Sequence, residues 1–343
     1  MIESGRSRPS LMPRHEGEHR DRYDALGAIR KSTSDCVGLS FLRLHHIFSR
    51  INCFLRKRFS LGEIGSAMLD DTGHNLREMG GGKVPLVLAH GYGCDQTVWR
   101  AVAPRLAQRY RVVLFDQAGC GQAADDLYDR QRHASLRGYV DDLLALLDRL
   151  KLGPVLFVGH SVSAMIGALA AIERPDLFDT LVMIGPSARY IDAEGYCGGF
   201  SRETVEDLLE MLDRNFSDWV EGFAPIATGN PDRPELASDF AKTLRRNDPD
   251  IASAFARATF FVDARAALPH LRVPTLILQS QDDPIAPDAA VNFVHRAIPG
   301  SRLMRMQSHG HCPHLSHPEI VAEAILAGLA TGVEGPGPPV VAP

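Results

Sequence analysis

Five short apolar runs do most to limit what this 343-residue chain can fold into. Pro85–Ala89, Val112–Phe115, Val155–Val158, Leu181–Ile184 and Thr275–Leu278 are rich in Val, Leu and Ile and show no polar alternation. A strand with one wet face alternates, whereas a strand covered on both faces reads as a continuous apolar run. Helical stretches fall between the runs, as in Tyr139–Leu150, where Val140, Leu143, Leu144 and Leu147 share one face. Covered strands separated by helices predict an α/β fold with a mostly parallel sheet flanked by helices. The alternation breaks between about 188 and 268. Four helical stretches follow one another there, near 201–213, 215–224, 234–246 and 249–261, with joints at Asn230-Pro231 and Asp248-Pro249. A helical insertion of this length in such a sheet is expected to be a lid over a site. The alternation resumes at Val273 and ends in a helix from Pro318 to Leu329.

Charge divides the chain near residue 60. Residues 1–60 carry 12 Lys/Arg and 6 Asp/Glu, which leaves 25 and 36 for the rest, so a net charge of -5 combines a basic leader with an acidic body. The overall balance gives no reason to expect nucleic acid as a partner. Within the leader, Phe41, Leu44, Phe48, Ile51 and Leu55 recur at three- and four-residue steps, so 37–59 reads as an amphipathic helix with basic flanks. Packing on the body, or no part in the fold, is favoured over membrane contact, and the interrupting arginines fit a secretory signal poorly. The domain reading is therefore a basic, partly disordered extension over 1–60, a body over 61–330, and a Pro/Gly-rich tail over 331–343. Six scattered cysteines form no CxxC pair and argue against a disulfide scaffold. A cytoplasmic location is expected.

Chemistry concentrates in Val155-Leu-Phe-Val-Gly159-His160-Ser161-Val162-Ser163-Ala164-Met165-Ile166-Gly167. An apolar strand passes through Gly-His-Ser directly into a helical pattern, the setting of a nucleophile elbow, in which a sharp turn lifts a serine above the sheet. Small residues must flank such a serine, and Ser163 stands where glycine is usual. A serine hydroxyl needs a base, and the chain order for this architecture is Ser, then an acid, then His. Asp282 and Asp283 follow the strand Thr275–Leu278, at the sheet edge where ligands bind. His311 follows the strand Arg302–Met306 and precedes the last helix, as a base hanging over Ser161 must. The run His309, His311, Cys312, His314, His317 matches no common metal-ligand spacing, so neither a metal nor a cofactor is expected. The two amides of an oxyanion hole are assigned to Val162, next after the nucleophile, and to Tyr92, between Gly91 and Gly93 after the first strong strand.

GYGCDQTVW (91–99), FDQAGCG (115–121), GHSVSAMIG (159–167), RPDLFDTLVMIGPSARYI (174–191), GGF (198–200), FAPIATG (223–229) and GHCPHLSHP (310–318) give residues 75–330 a resemblance to the α/β-hydrolase fold. Within it the chain resembles the branch of the bacterial stress-signalling hydrolase RsbQ and the plant strigolactone and karrikin receptors. The resemblance implies Ser161 as nucleophile, Asp283 rather than Asp282 as acid, and His311 as base. It also implies a small, mostly apolar ester or butenolide-like lactone as ligand, and a signalling protein partner as an alternative to plain turnover. Phe200, Trp219, Phe223, Phe260 and Phe261 are the candidates to line a pocket beneath the lid, against plain lid packing. A perhydrolase or haloperoxidase uses the same three residues.

Overall fold

Every one of the five apolar runs is a strand of one sheet. The computed structural model describes residues 72–331, so the 1–60 extension, the helix expected at 37–59 and nearly all of the 331–343 tail lie outside the described residues. The strands are β1 (Arg77–Met79), β2 (Pro85–Ala89), β3 (Arg111–Leu114), β4 (Val155–His160), β5 (Phe178–Ile184), β6 (Thr275–Gln281) and β7 (Arg302–His309). They lie in the order β1-β3-β2-β4-β5-β6-β7, parallel throughout except for β1, which pairs antiparallel with β3. Central strands β2 and β4 are buried at every position, which is why their sequences carry no alternation. β1 was not expected from the sequence. It is a three-residue edge strand, Arg-Glu-Met, without an apolar run to announce it.

Short helix α1 (Ala103–Leu106) precedes β3, α2 (Leu136–Leu150) precedes β4, and α3 (Val162–Glu173) joins β4 to β5. α2 starts at Ser135, whose side chain accepts the Arg137 N–H, and stops at Lys151 in the left-handed region. α3 is apolar around most of its surface and packs so closely on the sheet that a Cβ on Gly167 would lie 2.3 Å from the Phe157 ring.

The helical insertion leaves the sheet after β5 and returns before β6. Its helices are α4 (Arg202–Arg214), α5 (Phe216–Thr228), α6 (Pro234–Leu244) and α7 (Pro249–Phe260). α5 runs one turn beyond the stretch expected from the sequence. Pro225 does not stop it, because the helix is closed later by Gly229, left-handed at φ 59°, and by the Thr228 hydroxyl on the Ala224 carbonyl at 2.9 Å. The chain then completes α8 (Asp288–Ala297), short α9 (Pro313–Ser316) and α10 (Pro318–Ala330). The insertion is tied to the turn after β2: Asn247 Nδ2 donates to the Gly93 carbonyl at 3.1 Å, Tyr92 Oη to the Ala252 carbonyl at 3.1 Å, and Arg246 pairs with Asp95.

Candidate active site

The carboxyl ends of β4, β6 and β7 converge on one point. Ser161 leaves β4 at φ 56°, ψ -121°, a conformation that costs an L-residue free energy and that the surroundings must impose. Three close approaches impose it. A Cβ on Gly159 would sit 2.5 Å from the Ser163 carbonyl oxygen, so only glycine fits beneath the turn. A Cβ on Gly91 would sit 2.5 Å from His160 Nδ1, which brings the turn after β2 against the elbow. Ser163, in the usual glycine position, donates its hydroxyl to the His90 carbonyl and accepts from Gln117 Nε2 at 3.0 Å. That serine therefore fastens the elbow to the ends of β2 and β3, which a glycine could not do.

Opposite Ser161 Oγ, 2.7 Å away, stands His311 Nε2. The other ring nitrogen, Nδ1, meets both oxygens of Asp283, at 2.8 and 3.0 Å. Asp283 Oδ1 also accepts the amides of Ile285 and Ala286, each at 2.9 Å, which fixes the carboxylate in the loop after β6. All three side chains are buried. Asp282 turns the other way: it is exposed, with its carboxylate 3.4 Å from His309 Nδ1. The geometry thus separates two adjacent aspartates that local sequence alone left equivalent.

His311 is held from two further sides. Its N–H donates to the Ala227 carbonyl at 2.9 Å, one of the orphan carbonyls at the end of α5. Its own carbonyl accepts from His160 Nε2 at 2.8 Å. Burial, reinforced by the charge of nearby His311, lowers the His160 pKa to about 3, so His160 is a neutral donor at neutral pH. The other histidines of the segment scatter. His314 is fully buried, its ring 4.8 Å from Trp99 and 4.4 Å from His160, while His317 lies beside Arg233.

Val162 opens α3, so its amide has no carbonyl one helical turn before it. Tyr92 sits inside the turn closed by the Cys94 amide on the Gly91 carbonyl at 3.3 Å, the same turn that presses on the elbow. The Val162 amide thus adjoins Ser161, and the turn that carries Tyr92 packs against the elbow at Gly91.

A small cavity opens over Ser161 and His311. Of the aromatic residues expected to line it, Phe223 and Phe260 do. The other three do not. Trp219 stacks behind Phe223 at 4.6 Å, Phe200 stands 6.0 Å behind Phe260, and Phe261 faces out beneath the Arg202 guanidinium. Phe260 and Phe261 are neighbours at the end of a helix and point about 100° apart, so only one can face inward. Tyr92, Cys94, Tyr190, Phe240, Ile285 and Cys312 complete most of the wall. Tyr190 was missed by the sequence reading, although its hydroxyl lies 3.4 Å from Ser161 Oγ. Burial raises the pKa of the Cys94 and Cys312 thiols, which keeps both protonated at neutral pH.

The sequence profile of the alpha/beta hydrolase family matches residues 86–324. The chain belongs to that family. The hydrolase is 43% identical over 255 residues to a protein of Oryza sativa subsp. japonica named as a probable esterase, covering 74% of this chain and 94% of that one. It is 39% identical to a strigolactone esterase of Arabidopsis thaliana, with 74% and 96% covered. A karrikin insensitive 2 receptor of Petunia hybrida is also 39% identical, with 74% and 94% covered. Among solved structures, a hydrolase from Oleispira antarctica superposes with a TM-score of 0.74 at 33% identity, covering 76% of this chain and 96% of the other.

Proposed function

We propose that the hydrolase cleaves a small, mostly apolar ester or lactone, with Ser161 as nucleophile, His311 as base and acid, and Asp283 holding the imidazole. The observation that carries this reading is the unbroken run from Asp283 through His311 to Ser161, at 2.8 and 2.7 Å, buried at the floor of an apolar cavity. His311 Nε2 takes the Ser161 proton as Oγ bonds to the carbonyl carbon, and the carbonyl electron pair moves onto oxygen. The N–H groups of Tyr92 and Val162 hold that oxyanion. Collapse expels the alkoxide, which takes the proton from His311, and in a lactone the alkoxide stays tethered to the acyl group. Water then gives a proton to His311 and its oxygen to the acyl carbon, and Ser161 leaves reprotonated. No step in this sequence calls for a metal or a cofactor.

A fluorophosphonate probe tests the assignment directly. It should label the chain at Ser161, and full labelling of Ser161→Ala would overturn it. A second reading is favoured by the receptor and strigolactone-esterase names of the relatives. In it, binding or slow hydrolysis of a butenolide-like ligand rearranges the α4–α7 lid and recruits a signalling protein. High turnover of several simple esters, with no ligand-dependent partner, separates the first reading from the second. The domain layout and a cytoplasmic setting belong to the same proposal. No described helix is long and apolar enough to cross a membrane.

A further inference from the structure

Thr259 lies in the last turn of α7 and forms part of the cavity wall, yet its hydroxyl is spent on nothing. The residue is 2% exposed, and Oγ1 has no hydrogen-bond partner among the described residues. A helical threonine ordinarily returns its hydroxyl to the carbonyl one turn back. Two others in the same insertion do so: Thr228 donates to the Ala224 carbonyl at 2.9 Å, and Thr243 to the Asp239 carbonyl at 3.3 Å. Thr259 makes no such bond, so it carries the desolvation cost of a buried hydroxyl that a valine of the same shape would avoid. Much of the remaining wall is apolar, from Phe223, Phe240, Phe260 and Ile285. An isolated hydroxyl in such a wall is the arrangement by which a pocket fixes orientation and specificity.

The scissile carbonyl is already served at the Ser161 end by the two amides. Resting on the hydrolase reading above, we infer that the substrate carries a second oxygen outside its scissile ester group. That oxygen, an ether, hydroxyl or carbonyl, pairs with Thr259 Oγ1, which makes Thr259 a specificity-determining residue. The substrate class is thus an otherwise apolar ester or lactone with one further oxygen, rather than a plain hydrocarbon ester.

The test uses p-nitrophenyl alkanoates from butanoate to octanoate, each beside matched oxa-esters in which one chain methylene is replaced by an ether oxygen. The readout is the ratio of kcat/KM for oxa-ester over carbon ester, compared between the native enzyme and Thr259→Val, so that intrinsic reactivity cancels. At one oxygen position or more the ratio should fall about tenfold in Thr259→Val, the scale of one lost hydrogen bond to a buried group. Thr259→Ser should restore it, and Thr259→Ala serves if the valine variant does not fold. A ratio within twofold of native at every oxygen position overturns the inference while ester hydrolysis itself stands. A native enzyme that neither labels at Ser161 nor hydrolyses any of these esters overturns the hydrolase reading, and this inference falls with it.

Discussion

Replacing Gly310 by alanine separates the support of the base from the base itself. Gly310 precedes His311 at φ 78°, and an added Cβ would lie 2.0 Å from the Thr228 carbonyl oxygen at the end of α5. Ordinary contact begins near 3.4 Å, and the obstacle is backbone that no rotamer change can clear, so one segment must move by more than 1 Å. The left-handed conformation alone costs alanine about 1–2 kcal/mol. A domain of this size then loses roughly 2–4 °C in Tm for each kcal/mol, which leaves it folded at 25 °C. The same shift strains the bond from the His311 N–H to the Ala227 carbonyl, now 2.9 Å, and moves Nε2 away from Ser161. Misplacement of a catalytic group by about 1 Å costs on the order of 10²-fold in rate. Gly310→Ala should therefore lower kcat on p-nitrophenyl butanoate about a hundredfold, with a few degrees lost in a thermal melt. A folded variant with lower Tm and kcat within threefold of native would refute the claim that the end of α5 positions His311.

Three further outcomes are expected. Asp283→Asn keeps the shape but places an amide NH2 donor where Oδ2 accepts from His311 Nδ1–H, which favours the wrong tautomer, so kcat should fall about 10⁴-fold with KM little changed, by steady-state kinetics. His74, His90, His160 and His314 all have pKa values lowered first by burial. Their neutral forms stabilise the fold above the unfolded value near 6.5, and that stability is lost as pH falls towards the folded values, by up to about 1.4 kcal/mol per pH unit for each group. Urea unfolding between pH 7.5 and 4.5 should show this slope, and His314→Phe should flatten it; an unchanged slope would mean that His314 is not held neutral. Finally, deletion of residues 1–60 should leave ester hydrolysis intact, and a truncated protein recovered only in aggregates would place that segment in the core.

The strands and the insertion were legible because burial on both faces leaves an uninterrupted apolar signature, as in Val155–Val158. β1 left none, being short, exposed and polar. The serine was legible because an elbow demands small residues at fixed offsets. The choice of Asp283 over Asp282 was not available locally: it depends on a left-handed Asp282 turning its side chain out while Asp283 faces His311. Tyr190 was hidden for a similar reason, since nothing in its neighbours signals that the loop after β5 folds back over Ser161. The last turn of α5 has no clear sequence signal, because it lies beyond Pro225, a residue that disfavours a helix interior, and Gly229 supplies the stop four residues later. That turn holds the Ala227 carbonyl, so the reading that shortened the helix also removed the support of the base.

Strand order has a consequence for how activity arises during synthesis. Ser161 sits at the end of β4 in the middle of the sheet, but His311 follows β7, the edge strand opposite β1 and the last strand to leave the ribosome. A chain ending before residue 302 contains six of the seven strands and the Ser161 turn, yet lacks His311. On the proposed mechanism, hydrolytic competence therefore waits for the segment after β7, which delivers His311.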